Sequence, residues 1–149
     1  MEIIKATSSD LQEILNLQKI AYQSEAEIVG DYTIAPLTQT LDGIREDFES
    51  GVILKAVESN EIIGSVRVYV NDNTLHICRL IVSPEHQNKG IGTALLRTAE
   101  SLFPEKRLEL FTSEKSDRNL YLYKKNGYKE FKREPMNENI DFVFMEKHR

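Results

Sequence analysis

The residues best suited to chemistry lie in the stretch SPEHQNKGIGTALL, Ser83 to Leu96. Val82 ends a β-rich run, Pro84 prevents its continuation, and Ile91, Ala94, Leu95, Thr98, Ala99 and Leu102 then recur at helical spacing. Between them Gly90 and Gly92 let the backbone turn closely into a helix whose first N–H groups lack intrahelical partners. A helix N-terminus carries about half a positive charge, so a phosphate or pyrophosphate is the expected guest of this turn. Gln87 and Lys89 add donors beside it. Two familiar nucleotide loops fit badly, because a dinucleotide fingerprint needs a third glycine where Leu95 stands and a P-loop needs a Gly-Lys-Ser/Thr end. The same residue types also serve an ordinary strand-to-helix turn.

Alternating elements must hold this turn in place. EIIKA, Glu2 to Ala6, reads as a first strand, and Ser9 with Gln12 resembles a capping box that opens a helix running to about Glu27. GDYTIAPLTQT reads as a loop and TLDGIREDFES as a short amphipathic helix ended by Gly51. VILKAVES, EIIGSVRVYV and NTLHICRLIV follow as an antiparallel meander, turning at Asn60 and at Asn71-Asp72-Asn73. After the Ile91–Leu102 helix come a strand in KRLELFT, a helix in SDRNLYLYKKNG closed by Gly127, and two last strands in YKEFKRE and NIDFVFME. No repeat, linker or low-complexity segment interrupts the order β-α-α-β-β-β-α-β-α-β-β, which predicts one mixed α/β sheet with helices on both faces.

Bulk properties narrow the choice of partner. A chain of 149 residues suits a single domain, 1–149, that buries about 68–70% of its unfolded surface. No apolar run approaches a membrane span, no secretory signal is visible at the N-terminus, and a lone cysteine forms no internal disulfide, all of which predict a cytoplasmic protein with no membrane partner. The net charge of −5 argues against a nucleic-acid partner. That charge is uneven, −7 over residues 1–60 and +2 over 61–149, which suits a cationic guest on one half and an anionic one on the other, or an unevenly charged solvated surface. A homodimer is compatible with everything above.

QNKGIG, Gln87 to Gly92, resembles the Q/R-x-x-G-x-G/A signature of the GNAT superfamily of acyl-CoA-dependent N-acetyltransferases, between the fourth strand and the following helix. LYKKNGY, Leu122 to Tyr128, resembles that family's second signature, L-Y-x-x-x-G-F/Y, about 30 residues downstream. The element order fits the family over nearly the whole chain. The resemblance implies a mixed, mostly antiparallel α/β (α+β) sheet of about seven strands, splayed between strands four and five. It also implies acetyl-CoA as co-substrate, a primary amine as acceptor, direct attack in a ternary complex, and no metal.

Carried over residue by residue, the resemblance sets the pyrophosphate on the backbone of Asn88, Lys89, Gly90, Ile91, Gly92 and Thr93, with Gln87 opening the motif. Leu80, Ile81 and Val82 would pair with the pantetheine arm as a strand edge, and a backbone N–H near Ile81 or Val82 would polarise the thioester carbonyl. Asn119 resembles the family's polar contact to the cofactor, although many members carry that residue where this chain has Ser116. Tyr123 occupies the general-acid position, able to protonate the coenzyme A sulfur. His76, six residues before Val82, is the candidate base, because imidazole, with a usual pKa of about 6.5, suits proton removal at neutral pH. Glu109 is its rival, and Cys78, sharing a strand face with His76, reads as a small hydrophobe. Glu25, Glu27 and Asp31, in the segment that shapes the family's acceptor site, would attract a cation such as a polyamine, a lysine side chain, an aminoglycoside or a protein N-terminus. A non-catalytic acyl-CoA-binding or sensor module is the alternative reading of the same fold.

Overall fold

A computed structural model describes residues 1–149. One seven-stranded sheet runs through it in the order β1-β2-β3-β4-β5-β7-β6. Strands β1 (Glu2–Lys5), β2 (Val52–Glu58), β3 (Glu61–Asn71) and β4 (Thr74–Val82) form the expected antiparallel meander. Ser59 and Asn60 turn β2 into β3 with φ of 51° and 63°, the pair of positive values that a two-residue hairpin of matching twist requires. Strands β5 (Arg107–Ser113), β6 (Lys129–Pro135) and β7 (Asp141–Lys147) make a second antiparallel group.

The two groups meet along a short parallel seam. Only Thr74↔Arg107, Leu75↔Leu108 and His76↔Glu109 are in register, and beyond them β4 and β5 diverge into a wedge. On one face lie α5 (Ile91–Ser101) and α6 (Asp117–Lys125), packed over Leu75, Ile77, Leu108 and Leu110 through Leu95, Leu96, Ala99 and Tyr123. On the other face α1 (Leu11–Ala21) and α4 (Leu41–Ser50) bury Leu11, Ile14, Leu15 and Ile44 against Ile53, Ile62 and Ile81. Each helix carries its apolar residues on one stripe, and the sheet's alternation supplies the matching face.

Four local features depart from the sequence reading. The first cap is built by Thr7 and Asp10 rather than Ser9 and Gln12, with the Thr7 N–H donating to the Asp10 carboxylate at 2.8 Å. The first helix is broken at Tyr22, and α2 (Gln23–Val29) continues from there to a left-handed stop at Gly30. Inside the expected loop a short turn of helix, α3 (Ala35–Thr38), begins with Pro36 in its first turn, where proline's missing N–H costs nothing. Strand β4 carries a bulge, because Ser65 pairs with Ile81 while Arg67 pairs with Cys78, leaving Arg79 and Leu80 opposite Val66 alone. Arg79 itself has φ +51°. The extra residue reverses the alternation, so that Ile77 joins the α5 core while Ile81 joins the α1 core.

A buried polar network fixes α3 to the sheet. The Arg67 guanidinium donates to the side-chain oxygens of Gln18, Gln39 and Asp47, the last two each at 2.9 Å, and Gln18 donates onward to the Pro36 carbonyl at 2.8 Å. Arg67 is 3% exposed, and removal from water makes this interlock necessary for a cation at that depth.

Candidate active site

Two cavities adjoin the wedge. The first, of about 380 Å³, is walled by Leu80, Ile81 and Val82 of β4, by the turn Gln87–Thr93, and by Arg118, Asn119, Tyr121 and Lys125 of α6. The second, of about 460 Å³, lies between the diverging strands, with Ile77–Leu80 on one side and Phe111, Thr112 and Ser113 on the other. Tyr22, Glu25, Leu80 and Asn119 line both.

At the first cavity the turn has the backbone of an anion cradle. Asn88 and Gly90 take left-handed φ of 62° and 81°, and Gly90 precedes the first residue of α5, so the leading N–H groups of that helix open beside the cavity. A Cβ on Gly90 would meet no protein atom within 4 Å, so the space above it is free for a guest. Leu80, Ile81, Val82, Gln87, Asn88, Gly90, Ile91, Gly92, Thr93 and Asn119 all line this cavity. Lys89 does not, because the left-handed turn at Asn88 leaves its side chain exposed. Arg118, Lys125 and His86 stand there instead. Those three were missed from sequence because nothing local marks them, although the two cations, Arg118 and Lys125, stand seven residues and so two helical turns apart on one face of α6.

Tyr123 lies in the wall of the second cavity and not of the first. Tyr123 is 5% exposed and lines the second cavity alongside Cys78, Tyr22 and Glu25. Burial pushes its phenol well above the ordinary value, reinforced by the neighbouring Tyr22 and Glu25, so it holds its proton throughout the neutral range. Burial likewise raises Tyr22, to about 12, and the Cys78 thiol. Glu25 accepts a hydrogen bond from the Ser116 hydroxyl at 2.7 Å, so Ser116 serves the acidic wall rather than the cavity surface. Asn119 donates to Thr112 Oγ1 at 3.2 Å across the wedge. Asp31 also lines the second cavity, whereas Glu27 does not.

His76 and Glu109 close the apex of the wedge, paired across the last in-register position. Their side chains approach with His76 Nδ1 3.7 Å from Glu109 Oε2, and His76 stacks on Tyr69 with ring centroids 4.7 Å apart. Glu109 is held by Arg107 at 2.8 Å. Neither His76 nor Glu109 lines either cavity, and Cys78, two residues further along β4, is the nearest wall residue on the His76 face. No cluster of metal-ligating side chains is present, and no helix is long and apolar enough to cross a membrane.

This arrangement joins an anion cradle, an extended strand edge and a buried proton donor. Residues 11–128 match the model of the acetyltransferase (GNAT) family. A Bacillus subtilis (strain 168) protein, UPF0157 protein YqkA, is 31% identical over 118 residues, and the chain spans about a third of the length of that curated relative, which it matches over 78% of its own residues and 34% of the relative's. The PaiA N-acetyltransferase of Thermoplasma acidophilum, solved with coenzyme A, superposes with a TM-score of 0.82 at 21% identity, covering 99% of this chain and 98% of that one. A GNAT family acetyltransferase from Elizabethkingia anophelis, solved with acetyl-CoA, gives 0.63 at 28% identity over 74% of this chain and 84% of that one. The seven-stranded sheet with one parallel seam between β4 and β5 is the GNAT fold, and the chain belongs to the GNAT family of acetyltransferases.

Proposed function

We propose that the protein transfers the acetyl group of acetyl-CoA to a primary amine by direct attack within a ternary complex. The observation that carries this reading is the junction of the two cavities at Tyr22, Glu25, Leu80 and Asn119, since it gives two different guests adjoining sites, with the buried Tyr123 in the wall of the second. The free space above Gly90 and the donors of the Asn88–Thr93 turn fit the pyrophosphate, and the strand edge Leu80–Val82 fits the extended pantetheine arm. When bound, acetyl-CoA supplies an acetyl thioester.

The chain's own residues then have three tasks. The acidic wall at Glu25 and Asp31 draws the ammonium in and orients it. An ammonium must lose its proton before it attacks, and His76 takes that proton through water from the apex of the wedge, while Glu25, at the junction itself, is the competing acceptor. Tyr123 holds a proton at its hydroxyl for the departing sulfur and recovers one from water.

Incubating the purified protein with acetyl-CoA and a panel of amines, with free thiol followed, tests the reading. Tyr123→Phe should lower kcat by about 10- to 10⁴-fold with coenzyme A affinity nearly unchanged. An unimpaired kcat would remove Tyr123 from the role. Loss of a proton to a base makes kcat/KM rise with pH, and that rise should disappear in His76→Ala, whereas its loss in Glu25→Gln instead would assign the base to Glu25. Coenzyme A binding without turnover on any amine would make the chain an acyl-CoA-binding module.

A further inference from the structure

The second cavity contains a cation that forms no ion pair within the chain, although Glu25 and Asp31 line the same space. Arg79 sits at the bulge of β4 with φ +51°, a left-handed conformation that an arginine rarely adopts. Its side chain lines the cavity, and its Nε is buried without a hydrogen-bond partner. The chain's arginine–carboxylate pairs engage Arg45, Arg67, Arg107 and Arg133 instead. The carboxylates of the same cavity keep their charge and do not pair with Arg79: Glu25 accepts from the Ser116 hydroxyl and Asp31 from the backbone and hydroxyl of Thr33. Arg67 is close enough for its like charge to act on Arg79's surroundings, but Asp47 neutralises it. A half-buried arginine at a cavity wall with an unpartnered Nε and a strained backbone is the kind of feature retained at sites that recognise a ligand.

We propose that the acceptor is a free α-amino acid whose carboxylate pairs with Arg79 while its ammonium rests on Glu25. This inference rests on the acetyltransferase reading above and specifies its acceptor. The two poles are placed in the right sense. Glu25 lines both cavities and so stands at the junction, where an amine must be to meet a thioester, whereas Arg79 lines only the second cavity, next in sequence to Leu80, which lines both. The planar guanidinium fork matches a carboxylate with two parallel hydrogen bonds. Ile34, Phe111, Met136 and Phe142 are among the apolar residues of the wall, which favour an acceptor with an apolar side chain. An acceptor of amine groups alone, such as a polyamine, would bring a second positive charge against Arg79.

The test uses the full chain saturated with coenzyme A, and as probes the common α-amino acids together with their α-amides, which keep the amine and side chain but lack the negative charge. Calorimetry should give at least one amino acid that binds about 10-fold or more tightly than its amide, the value of one charge-assisted pair. In Arg79→Gln that ratio should fall to about one, and Arg79→Lys should restore part of it. Arg79→Gln removes an unpaired cation and keeps a shorter, uncharged polar side chain, and thermal melting checks that it folds. The proposal is overturned if no amino acid binds, if amides bind as well as acids, or if the ratio survives in Arg79→Gln. Because this readout is equilibrium binding, it stands apart from the turnover assay: acetylation of simple amines without a carboxylate preference would sink the amino-acid proposal and keep the acetyltransferase reading, while carboxylate-selective binding without turnover would do the reverse.

Discussion

Replacing Gly90 by aspartate separates what the turn does for the fold from what it does for a ligand. At φ +81° any residue with a Cβ costs about 1–2 kcal/mol, but the added side chain meets nothing within 4 Å, so no steric term follows. Aspartate immediately before α5 also recovers about 0.5–1 kcal/mol from the helix dipole and the unpaired N–H groups. Free Gly90→Asp should therefore melt close to the parent protein. The bound state behaves differently. A carboxylate about 6 Å from a phosphate repels it by about 3 kcal/mol at an effective dielectric of about 20, which is a loss of about 100-fold in affinity from a single charge pair. Gly90→Ala, with the same backbone strain and no charge, should lose less than about 10-fold. Titration calorimetry with coenzyme A measures both variants, and repeating it in high salt should narrow the gap between them, because exposed charge repulsion is screened. If Gly90→Asp bound coenzyme A within about threefold of the parent, or if the two variants lost affinity equally, the pyrophosphate would not lie at this turn.

Further expectations concern stability and the acceptor wall. Burial raises the phenols of Tyr123 and Tyr128, Tyr128 also donating to Glu100 at 2.8 Å, so above about pH 10 the unfolded chain releases protons that the folded chain keeps. The stability these tyrosines contribute is therefore full below that pH and falls as pH rises, by about 1.4 kcal/mol per unit for each, with the raised Tyr22 adding to the same slope; urea titrations between pH 9 and 11 should show a slope that Tyr128→Phe lowers by one tyrosine's share. An unchanged slope in that variant would refute the assignment. Arg67→Met leaves Gln18, Gln39 and Asp47 facing an apolar group and should cost about 3 kcal/mol by urea unfolding, with acceptor KM raised through a loosened Pro36 segment and coenzyme A affinity within about threefold of the parent. A loss under about 1 kcal/mol would mean that the network is not what holds α3 down.

Elements whose cause is local were legible in the sequence. The glycine turn into α5 was readable because Pro84, Gly90 and the helical period act within a few residues of one another, and Ser59-Asn60 marks its hairpin for the same reason. The break at Tyr22 was hidden because the apolar period runs through it without interruption, and only packing divides α1 from α2. The bulge at Arg79 exists as a mismatch of register between two strands, so no single run of residues announces it, and Arg79 could not be recognised as a wall of the site. Arg67, Gln18, Gln39 and Asp47 looked like separate polar residues, and they became one network only when the helices met β3. Lys89, adjacent to the turn in sequence, is exposed and stands outside the wall of the first cavity, a distinction that only the folded turn makes.

The short seam between β4 and β5 has a consequence for how the sheet is completed. Past His76 and Glu109 the two half-sheets share no register, so each keeps a strand edge inside the molecule rather than at its rim. Edges at a rim invite other chains to add to them, whereas an edge within a narrow gap admits only a slender guest that brings its own amide groups. Such a guest would act as an eighth strand, joining the halves into one continuous ladder. The polypeptide by itself thus encodes a sheet with one row missing past this seam.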